Sequence, residues 1–384
     1  MQKKKLIFFL IIYTSFFSSA FTFHSIPPIL TALISILNIT PFKSGLLMSI
    51  YSLLGIIIGL LSFKIIKNIK DRDILILSNL CTLVGLIIPS IFNNYSALLI
   101  GRLLSGAGFT ILSIRIPGII TKLFSSVNKT SFYIGIYATS VPLAAILSFY
   151  ILPILQTKYG GFYFLRFNIY ITLLALILSI LFIKYLIIED IPENKKVEIY
   201  FNFEKFIPLS IIWALFNAGT ISFITFSFNY SIQIKHISST ISFFIGSSTM
   251  IGGLILASLA GFILDRYKHL IRLFIIIGCM FLGLGFLLFY FSKWYLIIIL
   301  FLIIGGGIIP ISIFSYHTIF KNQSVDKKFS LLAITMGIGS ILGPLITGSI
   351  MNIGNGIYSY LLMFLFMSTG SLLGTIYLKK TDRI

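Results

Sequence analysis

Apolar residues run in stretches of twenty or more along almost the whole chain, and polar residues gather in short clusters between them. A helix rises about 1.5 Å per residue, so a hydrocarbon core roughly 30 Å thick takes about 20 apolar residues to cross. Cutting the sequence where charge, Pro, Gly or Asn clusters interrupt these runs predicts twelve membrane-spanning helices, near 6–37, 44–66, 74–92, 96–121, 131–155, 162–188, 206–234, 239–263, 271–291, 294–320, 329–350 and 357–378. The start, with Lys3, Lys4 and Lys5 ahead of an apolar stretch, has the look of a secretory signal, but no charge interrupts the run from Leu6 to Thr40. That length predicts an uncleaved first span, kinked at Pro27 and Pro28.

The one long polar stretch, residues 189–205, lies between spans 6 and 7. It divides the sequence into a six-helix bundle over 1–188, a linker over 189–205 and a second six-helix bundle over 206–384. Features recur across the divide, as expected of transporters built from repeated halves. Cys81-x-x-x-Gly85-Leu86 returns as Cys279-x-x-x-Gly283-Leu284, and Pro142 in span 5 has a counterpart in Pro344 of span 11. The fold class is therefore an all-α integral membrane protein of two six-helix pseudo-repeats.

Composition agrees: 58% of the 384 residues are hydrophobic and 10% are charged, against about 25% charged in soluble domains. A net charge of +19 raises the question of nucleic acid, but the basic residues sit in short clusters between spans and form no basic helix with interleaved aromatics. Their distribution gives the orientation instead. With the amino terminus inside, 22 Lys and Arg fall in inner loops and 5 in outer ones, which places both termini in the cytoplasm of a cell-membrane protein. Cys81 and Cys279 lie in mid-span with no ligand neighbours, so no disulfide, metal or other cofactor is expected.

The loop after span 8 reads Gly261-x-x-x-Asp265-Arg266, with Arg272 six residues on. A glycine there admits a close helix approach, and an aspartate can accept hydrogen bonds at a helix amino terminus or from arginine, forming a latch that breaks when the inner face opens. This loop resembles the cytoplasmic signature of the major facilitator superfamily, although its first-half counterpart, residues 62–73, leaves the glycine and aspartate positions unfilled. Arg102-x-x-Ser105-Gly106-x-Gly108 in span 4 is similar to that family's fourth-span arginine motif. Gly339-x-x-x-Gly343-Pro344 in span 11 is similar to a glycine-proline motif more familiar in span 5. The wording of spans 4 and 5 also resembles the cyanate- and nitrate-type branch. The resemblance implies alternating access by rocking of two halves, with Arg102, Gly261, Asp265, Arg266, Arg272, Gly343 and Pro344 in conformational roles.

Ionisable groups at bilayer depth are functional candidates, since burying one costs roughly 3 kcal/mol or more. All ten acidic residues fall in inner loops or at their edges, whereas span 4 carries Arg102 and Arg115. Thirteen residues at about 100° each put these two about 140° apart on the helix, so one can line a cavity while the other bonds inside the first half. The family resemblance assigns Arg102 the internal role, which leaves Arg115 as the substrate ligand or as a side chain snorkelling toward the inner head groups. Guanidinium without a carboxylate favours an anionic small-molecule substrate. His24, near the centre of span 1, is the candidate for coupling to a proton, with a counter-anion as the other coupling partner. Asn217, His317 and Tyr137 complete the substrate-binding candidates, and the protein is expected to act as a monomer. The alternatives are efflux of neutral or lipophilic compounds and an integral-membrane enzyme, but no paired-acid, His-rich or P-loop motif appears.

Overall fold

The computed structural model describes residues 2–61, 69–124, 130–181, 203–319 and 325–377. Every regular element among them is a helix, the form that satisfies each backbone N–H and C=O within its own segment where no water is at hand. Twelve are long and apolar enough to cross a membrane: Lys4–Leu37, Pro41–Leu60, Asp71–Phe92, Tyr95–Phe124, Tyr133–Tyr159, Tyr163–Leu181, Phe206–Gln233, Ser239–Leu256, Lys268–Phe291, Tyr295–Tyr316, Ser330–Ile350 and Ile357–Tyr377, spans 1 to 12 below. The protein is a multi-pass membrane protein. Apart from its last three residues, which open the helix of span 7, the predicted linker lies outside the described residues.

Two spans are discontinuous, both at prolines. Span 1 is helical over Gln2–Phe23, breaks, passes a 3₁₀ turn at Pro27–Ile29 and resumes over Leu30–Leu37. Pro27 and Pro28 have no N–H, so the carbonyls of Phe23 and His24 lose their usual helical partners. Span 5 is divided at Thr139, between helices Thr130–Ala138 and Ser140–Tyr159, because Pro142 likewise leaves the Ala138 carbonyl unbonded. By contrast, span 4 runs unbroken through Pro117 to Phe124.

The halves repeat one packing plan. Span 4 lies against spans 2 and 3, and span 10 against 8 and 9; spans 1 and 3 pack on span 6, and spans 7 and 9 on span 12. The equivalence corrects the register read from the sequence. Gly85 packs on Gly101 and Ser105 of span 4, while its counterpart in contact is Gly285, against Phe301 and Leu302 of span 10; Gly283 faces Phe364 and Met367 of span 12 instead. The structural offset at this contact is two residues longer than the cysteine match suggested.

Spans 2 and 11 join the halves along their full length. A Cβ on Gly45 would meet the Pro344 carbonyl, one on Gly348 would lie 2.6 Å from the Pro41 oxygen, Ser49 donates to the Ile341 carbonyl (2.7 Å) and Ser330 to that of Gly59 (3.2 Å). On its other side span 11 sits on span 7, where Gly339 and Gly343 lie against the carbonyls of Ala214 and Ala218. Such small-residue spacing lets two backbones touch in lipid, where apolar attraction between helices is weak. Spans 5 and 8 form the second junction, with Phe149 on Gly246 and Pro142 on Gly253. Thr31, beyond the break in span 1, donates to Asn229 of span 7 at 2.8 Å.

Candidate substrate pathway

Arg102 is buried at the break in span 1. Its Nη1 donates to the Thr22 carbonyl (2.7 Å), its Nη2 to the Phe23 carbonyl (3.1 Å) and its Nε to the Leu47 carbonyl of span 2 (3.1 Å). The guanidinium also lies 4.2 Å from the centre of the Tyr51 ring, whose hydroxyl donates to the Ser19 carbonyl at 2.9 Å. One of the two carbonyls orphaned by the prolines is thus taken by Arg102, and the other, on His24, accepts from Ser148 of span 5 at 3.1 Å. A planar fork with several fixed donors can satisfy carbonyls on two helices together, which an ammonium cannot. Arg102 is consumed by the fold of the first half.

Arg115 is consumed differently. Its Nη2 is 2.8 Å from Oδ1 of Asp71, with the two side chains 10% and 14% exposed. Asp71 opens the helix of span 3, a position where a carboxylate is favoured by the unpaired N–H groups of the first turn. Asp71 thus faces an arginine of its own half. Arg115 is not a lone cation awaiting an anion.

Each half carries a group of packed aromatic rings. In the first half the rings of Phe23 and Phe109 stack at 5.7 Å, Phe109 and Phe16 at 5.2 Å, and Phe16 and Tyr137 at 4.6 Å, drawing on spans 1, 4 and 5. Trp213 stacks on Phe216 at 5.3 Å in span 7 and tilts against Phe314 of span 10 at 5.6 Å. Met336 of span 11 packs against the apolar core of each half. Tyr137 belongs to the first-half stack. Asn217, one turn from Trp213, donates to the Trp213 carbonyl (2.8 Å) within its own helix. His24 is buried, edge-on to Phe23 at 4.7 Å, with Nδ1 unbonded. The side chain of His317 lies outside the described ones.

The conformational candidates separate. Gly343 and Pro344 form the contacts of span 11 described above. Gly261 is no close-approach glycine: a Cβ there would meet only the Ile311 side chain, at 3.4 Å. Arg266 lies over the Tyr267 ring at 5.7 Å, and Arg272 donates to the Thr375 carbonyl (3.2 Å), tying span 9 to span 12. The side chain of Asp265, like residues 62–68, lies outside what the structure describes. Sequence reading missed Asp71, Phe16, Phe109, Trp213 and Met336. Only Asp71 carried a signal, an acid at the first turn of a span.

Two six-helix halves, repeated in packing and joined along spans 2 and 11 and spans 5 and 8, define a polytopic membrane transporter. The chain belongs to the Major Facilitator Superfamily, whose profile matches residues 12–320, and is a secondary transporter. Among solved structures it is similar to a mutant of the peptide transporter POT in complex with alafosfalin, with a TM-score of 0.71 and 16% identity over 98% of this chain and 94% of that one. No curated protein sequence matches.

Proposed function

We propose that the chain carries a small neutral or amphipathic solute across the cell membrane by rocker-switch alternating access between the bundles 1–188 and 206–384, as a monomer with both termini in the cytoplasm. The observation that carries the cargo class is the ion pair of Arg115 with Asp71 at 2.8 Å. With Arg102 held by three carbonyls and Arg115 by a carboxylate, the two intramembrane arginines that pointed to an anion are both engaged. The stacked rings of spans 1, 4 and 5 and of span 7 supply aromatic surface suited to an uncharged, partly aromatic molecule. Ion gradients supply the energy, with His24 as the proton-coupling candidate.

A thermal-shift screen on purified protein tests this reading. Neutral aromatic compounds are expected to raise the melting temperature, and Trp213→Ala or Tyr137→Ala to reduce that rise. Small anions are expected to give none. A shift produced by a carboxylate or similar anion and lost in Arg115→Gln would mean that the cargo displaces Asp71 from Arg115, and would restore an anionic substrate. A His24→Gln variant whose transport keeps its pH dependence removes His24 from the coupling role.

A further inference from the structure

A cleft of about 680 Å³ opens between the halves at the end of the bundle where spans 1, 5 and 7 finish, the side that the charge count assigns to the outside. Its volume falls within the range of small-molecule pockets. Its wall is apolar where Pro28, Ile29, Phe228 and Phe243 meet, and amide-bearing where Gln156, Asn229 and Gln233 lie. Ile154, which also lines it, is 60% exposed, and Tyr150 one turn away is 40% exposed. Both lie on a helix that crosses the membrane, and their exposed side chains give this edge of the cleft an apolar rim.

We propose that this cleft is a phospholipid site, which takes one acyl chain of a lipid in the outer leaflet while the anionic head group rests against Lys158. Three observations converge on that occupant. The cleft contains no charged residue, as an acyl chain requires. Lys158 is exposed four residues beyond Ile154, on the same face of span 5 and one turn nearer the aqueous side, and among the described residues it forms no ion pair. Between chain and head group the ester carbonyls of a lipid accept hydrogen bonds and so need donors. Asn229 spends its oxygen on Thr31, which leaves its Nδ2 donors for an occupant. Because the cleft has one wall from each half, a lipid seated there weighs on the opening of the outer side.

The test is native mass spectrometry of detergent-purified protein titrated with palmitoyl-oleoyl phosphatidylglycerol, with phosphatidylcholine of the same chains and with soluble glycerol phosphate. Phosphatidylglycerol is expected to remain bound in preference to phosphatidylcholine, and glycerol phosphate not to bind. Lys158→Gln is expected to raise the half-saturating phosphatidylglycerol concentration about fivefold, the effect of one basic residue near a membrane surface. Ile154→Trp and, independently, Ala32→Phe crowd the cleft and are expected to abolish the adduct while the lipid-free melting temperature stays unchanged. Equal retention of both lipids in wild type and Lys158→Gln overturns the head-group assignment. Adducts that persist in both crowding variants overturn the site. Displacement of the lipid by a water-soluble amphipath at low concentration identifies the cleft as a port for cargo and overturns the lipid reading.

Discussion

Replacing Arg102 by Met keeps an unbranched apolar stem and removes every donor. Three charge-assisted bonds disappear, to Thr22, Phe23 and Leu47, together with the contact over the Tyr51 ring. A hydrogen bond to a charged group is worth about 1.5–3 kcal/mol in soluble proteins, whereas side-chain bonds between membrane helices average about 0.6 kcal/mol. Three bonds at these two scales bracket the loss between about 2 and about 9 kcal/mol. The lower bound is the safer one for Thr22, whose carbonyl also accepts from Ser25 at 2.8 Å. The Phe23 carbonyl has lost its helical donor to Pro27, and an orphaned carbonyl in hydrocarbon costs several kcal/mol. Reversible unfolding in mixed micelles, followed by steric trapping, measures the loss directly. Arg102→Lys separates charge from geometry, since one ammonium cannot reach carbonyls on spans 1 and 2 together. It is expected to recover less than half of the deficit. An Arg102→Met protein within about 0.5 kcal/mol of wild type, the range of neutral surface changes, would refute the assignment of Arg102 as the clamp on the broken helix.

Three further outcomes are expected. Asp71→Asn leaves Arg115 without its carboxylate and is expected to cost about 1–2 kcal/mol, below the 3–5 of a fully buried pair because both side chains are partly exposed; a double-mutant cycle with Arg115→Gln that shows no coupling would dissolve the pair. Gly343→Ala drives a Cβ into the Ala218 carbonyl and is expected to destabilise by about 1–3 kcal/mol, whereas Gly261→Ala, which meets only the Ile311 side chain, is expected to be neutral; equal melting temperatures for the two would contradict the close packing of spans 7 and 11. At the outer end of span 7, burial and then the neighbouring Lys293 hold the Lys235 ammonium below its usual range, so the unfolded chain binds more protons than the folded one between the lowered value and 10.5. Stability should therefore rise with pH through that alkaline interval in wild type relative to Lys235→Met, and a relative fall would reverse the sign of the argument.

The number of spans, the orientation expectation and the family were legible along the chain, because each follows from periodic burial in lipid or from charges at loop ends, both local properties of the sequence. The break in span 1 was legible too, since Pro27 and Pro28 withhold their N–H groups whatever surrounds them. Asp71 and Arg115 are 44 residues apart and Arg102 reaches carbonyls 55 to 80 residues away. No spacing rule connects such positions, so which arginine clamps the fold and which meets a carboxylate was decided only when spans 1 to 4 packed. The same holds for the aromatic stack. Phe residues spread through most spans look alike in sequence, and only helix rotation brings Phe16, Phe109 and Tyr137 into one stack. Sequence alone determined that this chain folds in a membrane as twelve helical spans; the tertiary structure decided where its charges are spent, because neutralising an ion in hydrocarbon depends on distance through space and not along the chain.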